Sequence, residues 1–190
     1  MPNLEVKMFD WVLIKKRYGM EKMNELFYER VKKEKPDLVF FSIFREEFKK
    51  EVIKRITGEG KAITLNLFAN DLWQFDSYSA QWAPCFTWVA TDEASFVRKY
   101  HQIGYKNVLI NHWACNPRVH KKLNLDYKFD VTFIGQAYGN RKGIMRGLKK
   151  KGIAIDAFGR GFKTGKVSWS KMIEIFNTSK INLNISEVVN

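Results

Sequence analysis

The feature that most constrains this chain is a repeated switch between strand-like and helix-like spacing of its apolar residues. Short apolar runs such as "DLVFFSIF" and "KAITLNLF" alternate with stretches in which apolar side chains recur every three or four positions. The first such stretch forms one helical stripe, made of Met20, Met23, Phe27 and Val31. This alternation predicts an α/β fold, in which helices pack on a parallel sheet.

The alternation stops once and then restarts. Residues 114–128, "ACNPRVHKKLNLDYK", contain a proline, a basic cluster and no sustained apolar period, which is typical of a linker. A pattern of strand, helix, strand, helix and strand follows from Phe129 onward. We therefore expect two α/β units, residues 1–113 and residues 129–190, joined by this linker.

The chain is strongly basic. Its 33 lysines and arginines exceed its 20 acidic residues by 13, which favours a polyanionic partner or an anionic membrane surface. Residues from Lys128 onward contain 12 basic and 4 acidic residues, a surplus of 8. Two interpretations stay open: a surface that contacts phosphates, or a solvated helix face such as "RGLKKKG" that serves solubility.

The sequence contains no pattern of a membrane or export segment. Its uninterrupted apolar runs are far shorter than the roughly 20 residues of a bilayer-spanning helix, so no membrane span is expected. The start "MPNLEVKMFDW" lacks the basic region, apolar core and small-residue cleavage site of a secretory signal. We expect a cytoplasmic protein, and in that compartment Cys85 and Cys115 are expected to be thiols rather than a disulfide.

A glycine-containing break between a predicted strand and a basic predicted helix is the clearest candidate for a ligand loop. Gly135 and Gly139 lie in this break, and Arg141 begins the helix. Ligands of open α/β sheets bind beyond the carboxyl ends of strands, where helix N-termini offer backbone N–H groups to anions. Glycines let the backbone approach such an anion, and an arginine can grip phosphate oxygens in a bidentate way. The alternative is that both glycines only serve a tight turn.

Several blocks in one order resemble a known family. They are "KPDLVFFSIF", "LNLFANDLWQFDSYSAQWAPCFTWVATD", "YHQIGYKNVLINHWACNP", "FDVTFIGQAYGNRKGIMRGLKKKGIAIDAFGRGF" and "SWSKMIEIFNTSKINLNIS". Together, from about Phe9 to Ser186, they resemble the CgeB-like (spore-maturation-type) glycosyltransferases of the GT-B superfamily. The resemblance implies two Rossmann-like units: residues 1–113 on the acceptor side, and an incomplete donor-side unit of residues 129–190.

The resemblance also implies an activity and a donor site. It implies transfer of a sugar from a nucleotide-diphosphate sugar to an unknown acceptor, which is an EC 2.4 reaction. The residues that would cradle the donor diphosphate are Gly135, Gln136, Gly139, Asn140 and Arg141. Lys142 and Arg160 are nearby candidates for neutralising the leaving group.

The same resemblance raises two alternatives to an active enzyme. The family pattern includes an earlier strand and a later acidic, glycine-rich segment that this sequence lacks, so we expect a fragment or a trimmed version, whose missing parts a homo-oligomer or a completing subunit could supply. One alternative is therefore a non-catalytic subunit or binding module. A further alternative is a basic nucleic-acid-binding protein that uses Arg146 and Lys149, Lys150 and Lys151, although no DNA- or RNA-binding motif accompanies them and nucleic acid is not the expected partner.

Four residues are candidates for the reaction centre. Asp71 follows a predicted strand and could act as general base, or could close the loop as an Asx-turn. His112 could also be a base, or a packed hinge residue beside Trp113. Trp73 and Trp113 could stack on sugar rings in the acceptor cleft, although tryptophan more often packs in a core. No metal or resident cofactor is expected, because the sequence has no Asp-x-Asp pattern and no His or Cys pair at zinc spacing.

Overall fold

A computed structural model describes residues 4–185 of the chain. The chain divides into two compact units, Met1–Ala114 and Cys115–Asn190. Each unit has its own parallel sheet with helices between its strands, so the predicted α/β class is confirmed. No helix within the described range combines the length and the apolar character that crossing a bilayer requires.

The first unit contains a four-stranded sheet in the order β1-β2-β3-β4, all parallel. Its elements are α1 (Trp11–Glu34), β1 (Leu38–Phe41), α2 (Lys50–Gly58), β2 (Ile63–Phe68), α3 (Asp71–Gln74), a π-helix (Phe75–Ser79), α4 (Ala80–Trp82), a 3₁₀ turn (Ala83–Cys85), β3 (Trp88–Thr91), α5 (Ser95–Gln102) and β4 (Val108–Ile110). Consecutive strands are neighbours throughout this sheet.

Helix α1 shows how the sequence sets local structure. The Asp10 carboxylate accepts a hydrogen bond from the Leu13 N–H (2.9 Å) and caps the helix start. Gly19 adopts a positive φ of 81° and interrupts the helix. The predicted stripe is buried after this break, where Met23 and Phe27 face the core.

The core of the first unit is rich in aromatic rings. Phe27, Phe41 and Phe48 pack with ring centroids 4.8–5.6 Å apart in tilted and edge-on pairs, a favourable geometry for aromatic side chains. Polar contacts also cross this core: Asn66 accepts a hydrogen bond from the Ile43 N–H (3.1 Å). These contacts fix β1 and β2 against the helices and so position the loops that follow the strands.

The second unit contains a three-stranded parallel sheet in the order β6-β5-β7. Its elements are β5 (Phe129–Ile134), α6 (Arg141–Lys150), β6 (Asp156–Phe158), α7 (Trp169–Asn177) and β7 (Ser179–Leu183). Its core is small: Phe133 and Ile175 are its buried apolar residues among those described, and no residue of α6 is buried.

The segment for which the sequence predicts a linker contacts the second unit directly. The Leu123 N–H donates to the side-chain oxygen of Asn177 (2.6 Å), and the Asn177 amide donates to the Lys121 carbonyl (3.2 Å). These bonds fasten the segment to the end of α7. Residues 115–128 therefore belong with the second unit, without helix or strand structure of their own.

Candidate functional site

The predicted ligand loop lies between β5 and α6, as its sequence indicates. Two of its backbone N–H groups are hydrogen-bonded to the end of β6 and the loop that follows it. The Gly135 N–H donates to the Phe158 carbonyl (2.9 Å), and the Ala137 N–H donates to the Arg160 carbonyl (2.8 Å). These bonds continue the parallel pairing of β5 with β6 past the strand ends. The Gly135 N–H is therefore not available to an anion in this conformation.

Glycines allow the β5–α6 loop and the loop after β6 to approach each other closely. A Cβ at Gly159, where φ is 127°, would overlap the carbonyl of Gly135, and a Cβ at Gly161 would lie 2.8 Å from the Ala137 Cβ. Gly139 has a φ of 51°, so it serves the turn before α6. Backbone packing and turn geometry thus account for three of these glycines without any ligand.

Arg141 is occupied by protein contacts. Its Nε donates to the Ile185 carbonyl (2.9 Å), and its Nη1 donates to the Gln136 carbonyl (3.1 Å). Its guanidinium also lies 5.5 Å from the Phe133 ring centroid. The side chain ties the loop together, and gripping a phosphate would require it to exchange these bonds. Asn140 precedes α6, and its Oδ1 occupies the place that a Cβ at Gly143 would take.

An open depression of about 310 Å³ lies beside this loop. Its lining residues come from one face of α6 and from the segment around the end of β6: Lys142, Met145, Arg146, Ala157, Gly161, Phe162 and Lys163. Three of them are cationic, none is acidic, and no ion pair among residues 4–185 involves Lys142, Arg146 or Lys163. Within residues 4–185 their charge is therefore uncompensated, and it attracts anions.

Sequence reasoning missed Lys163 as a member of this group. The available signal was that "GRGFK" follows the strand "IDAF", just as the glycine loop follows β5. Because parallel neighbours end at the same edge of a sheet, the two loops had to meet. Arg160, the other nearby candidate, is exposed and contributes its backbone carbonyl to the loop contact.

Asp71 follows β2 at the start of α3 and is only 1% exposed. Tyr100 donates its hydroxyl to Asp71 Oδ2 (2.9 Å), while Oδ1 has no hydrogen-bond partner. Burial raises the pKa of the Asp71 carboxyl, and the nearby hydroxyl groups of Ser79, Thr91 and Tyr100 offset part of this rise. Burial also raises the pKa of Tyr100. In this conformation the carboxyl group is closed off from an acceptor in solvent.

The other candidates lie at the surface: Trp73 in the short helix α3, and His112 and Trp113 on the loop after β4. Trp73 and His112 are exposed, and Trp113 is 77% exposed while its indole N–H donates to Asp92 Oδ2 (2.8 Å). The Trp113 side chain is therefore held by its polar end and leaves its ring open to contact. Sequence reasoning missed Asp92 as its partner; the signal was an acidic residue directly after β3, next to the strand that precedes Trp113.

Metal ligands do not gather in the described part of the chain. Among residues 4–185, no three His, Cys, Asp or Glu side chains are placed to hold an ion together. Cys85 is buried and Cys115 is exposed, and both are free thiols.

Comparison of the chain with protein-family models, with curated proteins and with solved structures finds no match. The resemblance to the CgeB-like glycosyltransferases thus rests on the sequence blocks alone and stays a prediction.

Proposed function

We propose that the chain is a glycosyltransferase-like protein whose second unit binds the phosphate groups of a nucleotide-diphosphate sugar. The observation that carries this proposal is the cationic depression beside the β5–α6 loop. Lys142, Arg146 and Lys163 line it without an acidic neighbour. In the proposed GT-B arrangement, both units would be Rossmann-like and the second would hold the donor.

The chemistry of the depression fits a diphosphate better than a neutral ligand. Three uncompensated cations favour a ligand with at least two negative charges, and Arg146 can form bidentate bonds with phosphate oxygens. Met145 and Phe162 add apolar surface for a base or a sugar face. The volume of about 310 Å³ lies near the lower end of the range for small-molecule sites, roughly 300–1,000 Å³.

Transfer would break the bond between the anomeric carbon and the diphosphate oxygen and form a bond from that carbon to an acceptor oxygen. The diphosphate would leave with the bonding electrons, and the cations of the depression would stabilise its charge. A base would take the acceptor proton. His112 is the exposed candidate for this role, whereas Asp71 would first have to become accessible.

Calorimetric titration with UDP, GDP, uridine and guanosine tests this proposal. We expect one diphosphate to bind with micromolar affinity, which corresponds to about −8 kcal/mol, and neither nucleoside to bind measurably. A Lys142→Ala/Arg146→Ala double variant should bind the same diphosphate at least about 10-fold more weakly, because two charge-assisted contacts are lost.

A Lys121→Ala/Lys122→Ala variant is the matched control. It removes the same charge from the same unit, at exposed residues outside the depression. If both double variants lose the same affinity, the loss reflects the lower net charge of the protein. That result would contradict a specific site in the depression. Failure of the folded wild-type protein to bind any diphosphate would refute the proposal.

Nucleic-acid binding is a second candidate, favoured by the exposed cluster of Lys149, Lys150 and Lys151 at the end of α6. Electrostatic binding of this kind ignores sequence and weakens steeply with salt. Titrating a 20-nucleotide single strand and a 20-base-pair duplex at 50 and 200 mM salt distinguishes the two functions. Oligonucleotide binding that falls steeply with salt, without diphosphate binding, would replace the donor-site proposal. Diphosphate binding without any turnover would leave the non-catalytic alternative.

A further inference from the structure

The sheet of the first unit has two faces of very different exposure. Side chains of β1 and β2 alternate between exposed and buried positions along each strand. The pairing register places eight residues on one side, which we call the outer face: Leu38, Phe40, Ile63, Leu65, Leu67, Trp88, Ala90 and Leu109. All eight are apolar, and the opposite side of the sheet faces the core.

The outer face is open to solvent despite this composition. Leu38, Phe40, Ile63 and Leu109 are 44–57% exposed. Leu65, Leu67 and Trp88 are half-buried, and Ala90 is buried. Surface strands normally alternate apolar residues towards the core with polar residues towards water. Here the solvent side is as apolar as a core side.

The topology explains why the chain's own crossovers leave this face bare. The strands follow one another in the order β1-β2-β3-β4, and all are parallel. Crossovers between parallel strands are right-handed in nearly all proteins, so strands added in one direction carry their connecting helices on one side. Parallel sheets are otherwise covered on both faces. Within residues 4–185, no second layer covers the exposed side chains of the outer face.

We propose that a second copy of this chain covers the outer face, in a two-fold dimer that packs sheet against sheet. The face has no charged side chain among its eight positions, so an apolar and uncharged partner surface suits it. Each copy brings such a surface, and a two-fold axis pairs it with itself without opposing like charges. Identical twisted sheets pack face to face at about 10 Å, with strands within about 30° of each other.

The available area is sufficient for such a dimer. Aromatic side chains offer roughly 150–250 Å² each and leucine and isoleucine somewhat less, so four half-exposed and three half-buried residues leave on the order of 500 Å² open per copy. Two copies would bury about 1,000 Å², the size at which specific interfaces begin. Interfaces of this size are typical of weak, transient association, so we expect a reversible dimer.

Pairing through the free edge of β1 is the competing arrangement for two copies. It would add backbone hydrogen bonds at Leu38–Phe41 but would leave the outer face uncovered. Phe40 and Leu109 distinguish the two arrangements, because they lie on opposite edge strands of the same sheet. Face packing uses both residues, whereas pairing at β1 leaves Leu109 uninvolved.

Sedimentation velocity of the purified chain from 1 to 200 µM tests the proposal. We expect the weight-average mass to rise from that of one chain towards that of two. Phe40→Asp and Leu109→Asp should each raise the dissociation constant at least roughly 100-fold, because a carboxylate would be buried in an apolar interface. Ile103→Asp is the matched control, since Ile103 is exposed at the end of α5 and outside the outer face.

Two results would overturn the proposal. A wild-type mass of one chain at every concentration would exclude the second copy and leave the face to a different protein. Dimerisation abolished by Phe40→Asp and unchanged by a folded Leu109→Asp would assign the contact to the β1 edge. Far-ultraviolet circular dichroism shows which variants are folded. The wild-type concentration series by itself decides whether the chain forms a dimer.

Discussion

At the residue scale, Asp71 is the side chain whose surroundings conflict most with its ordinary charge. It is buried, one of its oxygens has no hydrogen-bond partner, and burial raises its pKa. A carboxyl whose pKa is raised in the folded state binds its proton more tightly there than in the unfolded chain. Ionisation therefore opposes folding, and stability is lost as pH rises through the folded-state pKa.

Asp71→Asn should stabilise the protein near neutral pH. An amide carries no charge and can still accept the Tyr100 hydroxyl, so we expect the free energy of unfolding at pH 8 to rise by on the order of 1 kcal/mol. The gain should shrink on acidification and vanish below about pH 4, the ordinary carboxyl range, where both states of the wild type are protonated. Urea denaturation from pH 4 to pH 8 measures it.

Asp76→Asn, at an exposed position of the same segment, is the control and should show no such trend. A gain from Asp71→Asn that is independent of pH would mean that ionisation of this carboxyl does not limit stability. Stabilisation on losing a carboxyl is also what a functional residue shows when it is kept at a cost to folding. The same variant thus connects the stability of this site with its proposed catalytic role.

The sequence places these residues correctly along the chain but does not reveal their surroundings. Asp71 falls after a strand, as predicted, yet the hydroxyl that donates to it belongs to Tyr100, 29 residues away. Arg141 begins a helix, as predicted, yet one of its two hydrogen bonds reaches the Ile185 carbonyl, 44 residues away. Local spacing contains no information about hydrogen bonds between residues so far apart in the sequence. Such hydrogen bonds decide whether a charged side chain faces a ligand or the protein.

At the element scale, regular periods made most of the fold predictable. The apolar runs became strands and the long amphipathic stretches became helices, including α6 and α7. Residues 71–85 were different: they form α, π, α and 3₁₀ segments of three to five residues each. Segments this short do not repeat an apolar period, and the last of them contains Pro84 near its start.

Two glycines of the second unit should respond in opposite ways to alanine. Gly159→Ala should lower the free energy of unfolding by about 2 kcal/mol or more, because its φ of 127° is strained for alanine and the Cβ would overlap the Gly135 carbonyl. Gly147→Ala should raise it by about 0.5–1 kcal/mol, since Gly147 lies inside α6 with open space around it. Thermal and urea denaturation measure both.

The Gly159→Ala variant also separates two explanations for the glycines of these loops, which are contact between the loops and contact with a ligand. If Gly159→Ala leaves stability unchanged, the contact between the two loops is not what requires glycine there. If it destabilises the protein as expected, loss of diphosphate binding in that variant would reflect the displaced loop rather than a missing ligand contact. The lysine and arginine variants therefore test the site more directly than glycine variants do.

At the scale of the whole molecule, the two units differ sharply in charge. Residues 1–114 contain 18 basic and 15 acidic residues, a surplus of 3, whereas residues 115–190 contain 15 basic and 5 acidic residues, a surplus of 10. The nearly balanced unit carries the apolar outer face, and the basic unit carries the cationic depression. The proposed self-association and the proposed anion binding thereby belong to different units and can be tested independently.

Limited trypsin digestion should first divide the chain after Arg118. Residues 111–118 are all exposed, and residues 111–116 lie outside helices and strands at the junction of the two units. Lys149 and Lys150 are also exposed, but the helical hydrogen bonds of α6 protect their peptide bonds. We expect mass spectrometry to show two early fragments, one that ends at Arg118 and one that begins at Val119. Arg118→Gln should delay the appearance of both fragments. Earlier cleavage within α6 would instead show that the second unit opens more readily than the junction does.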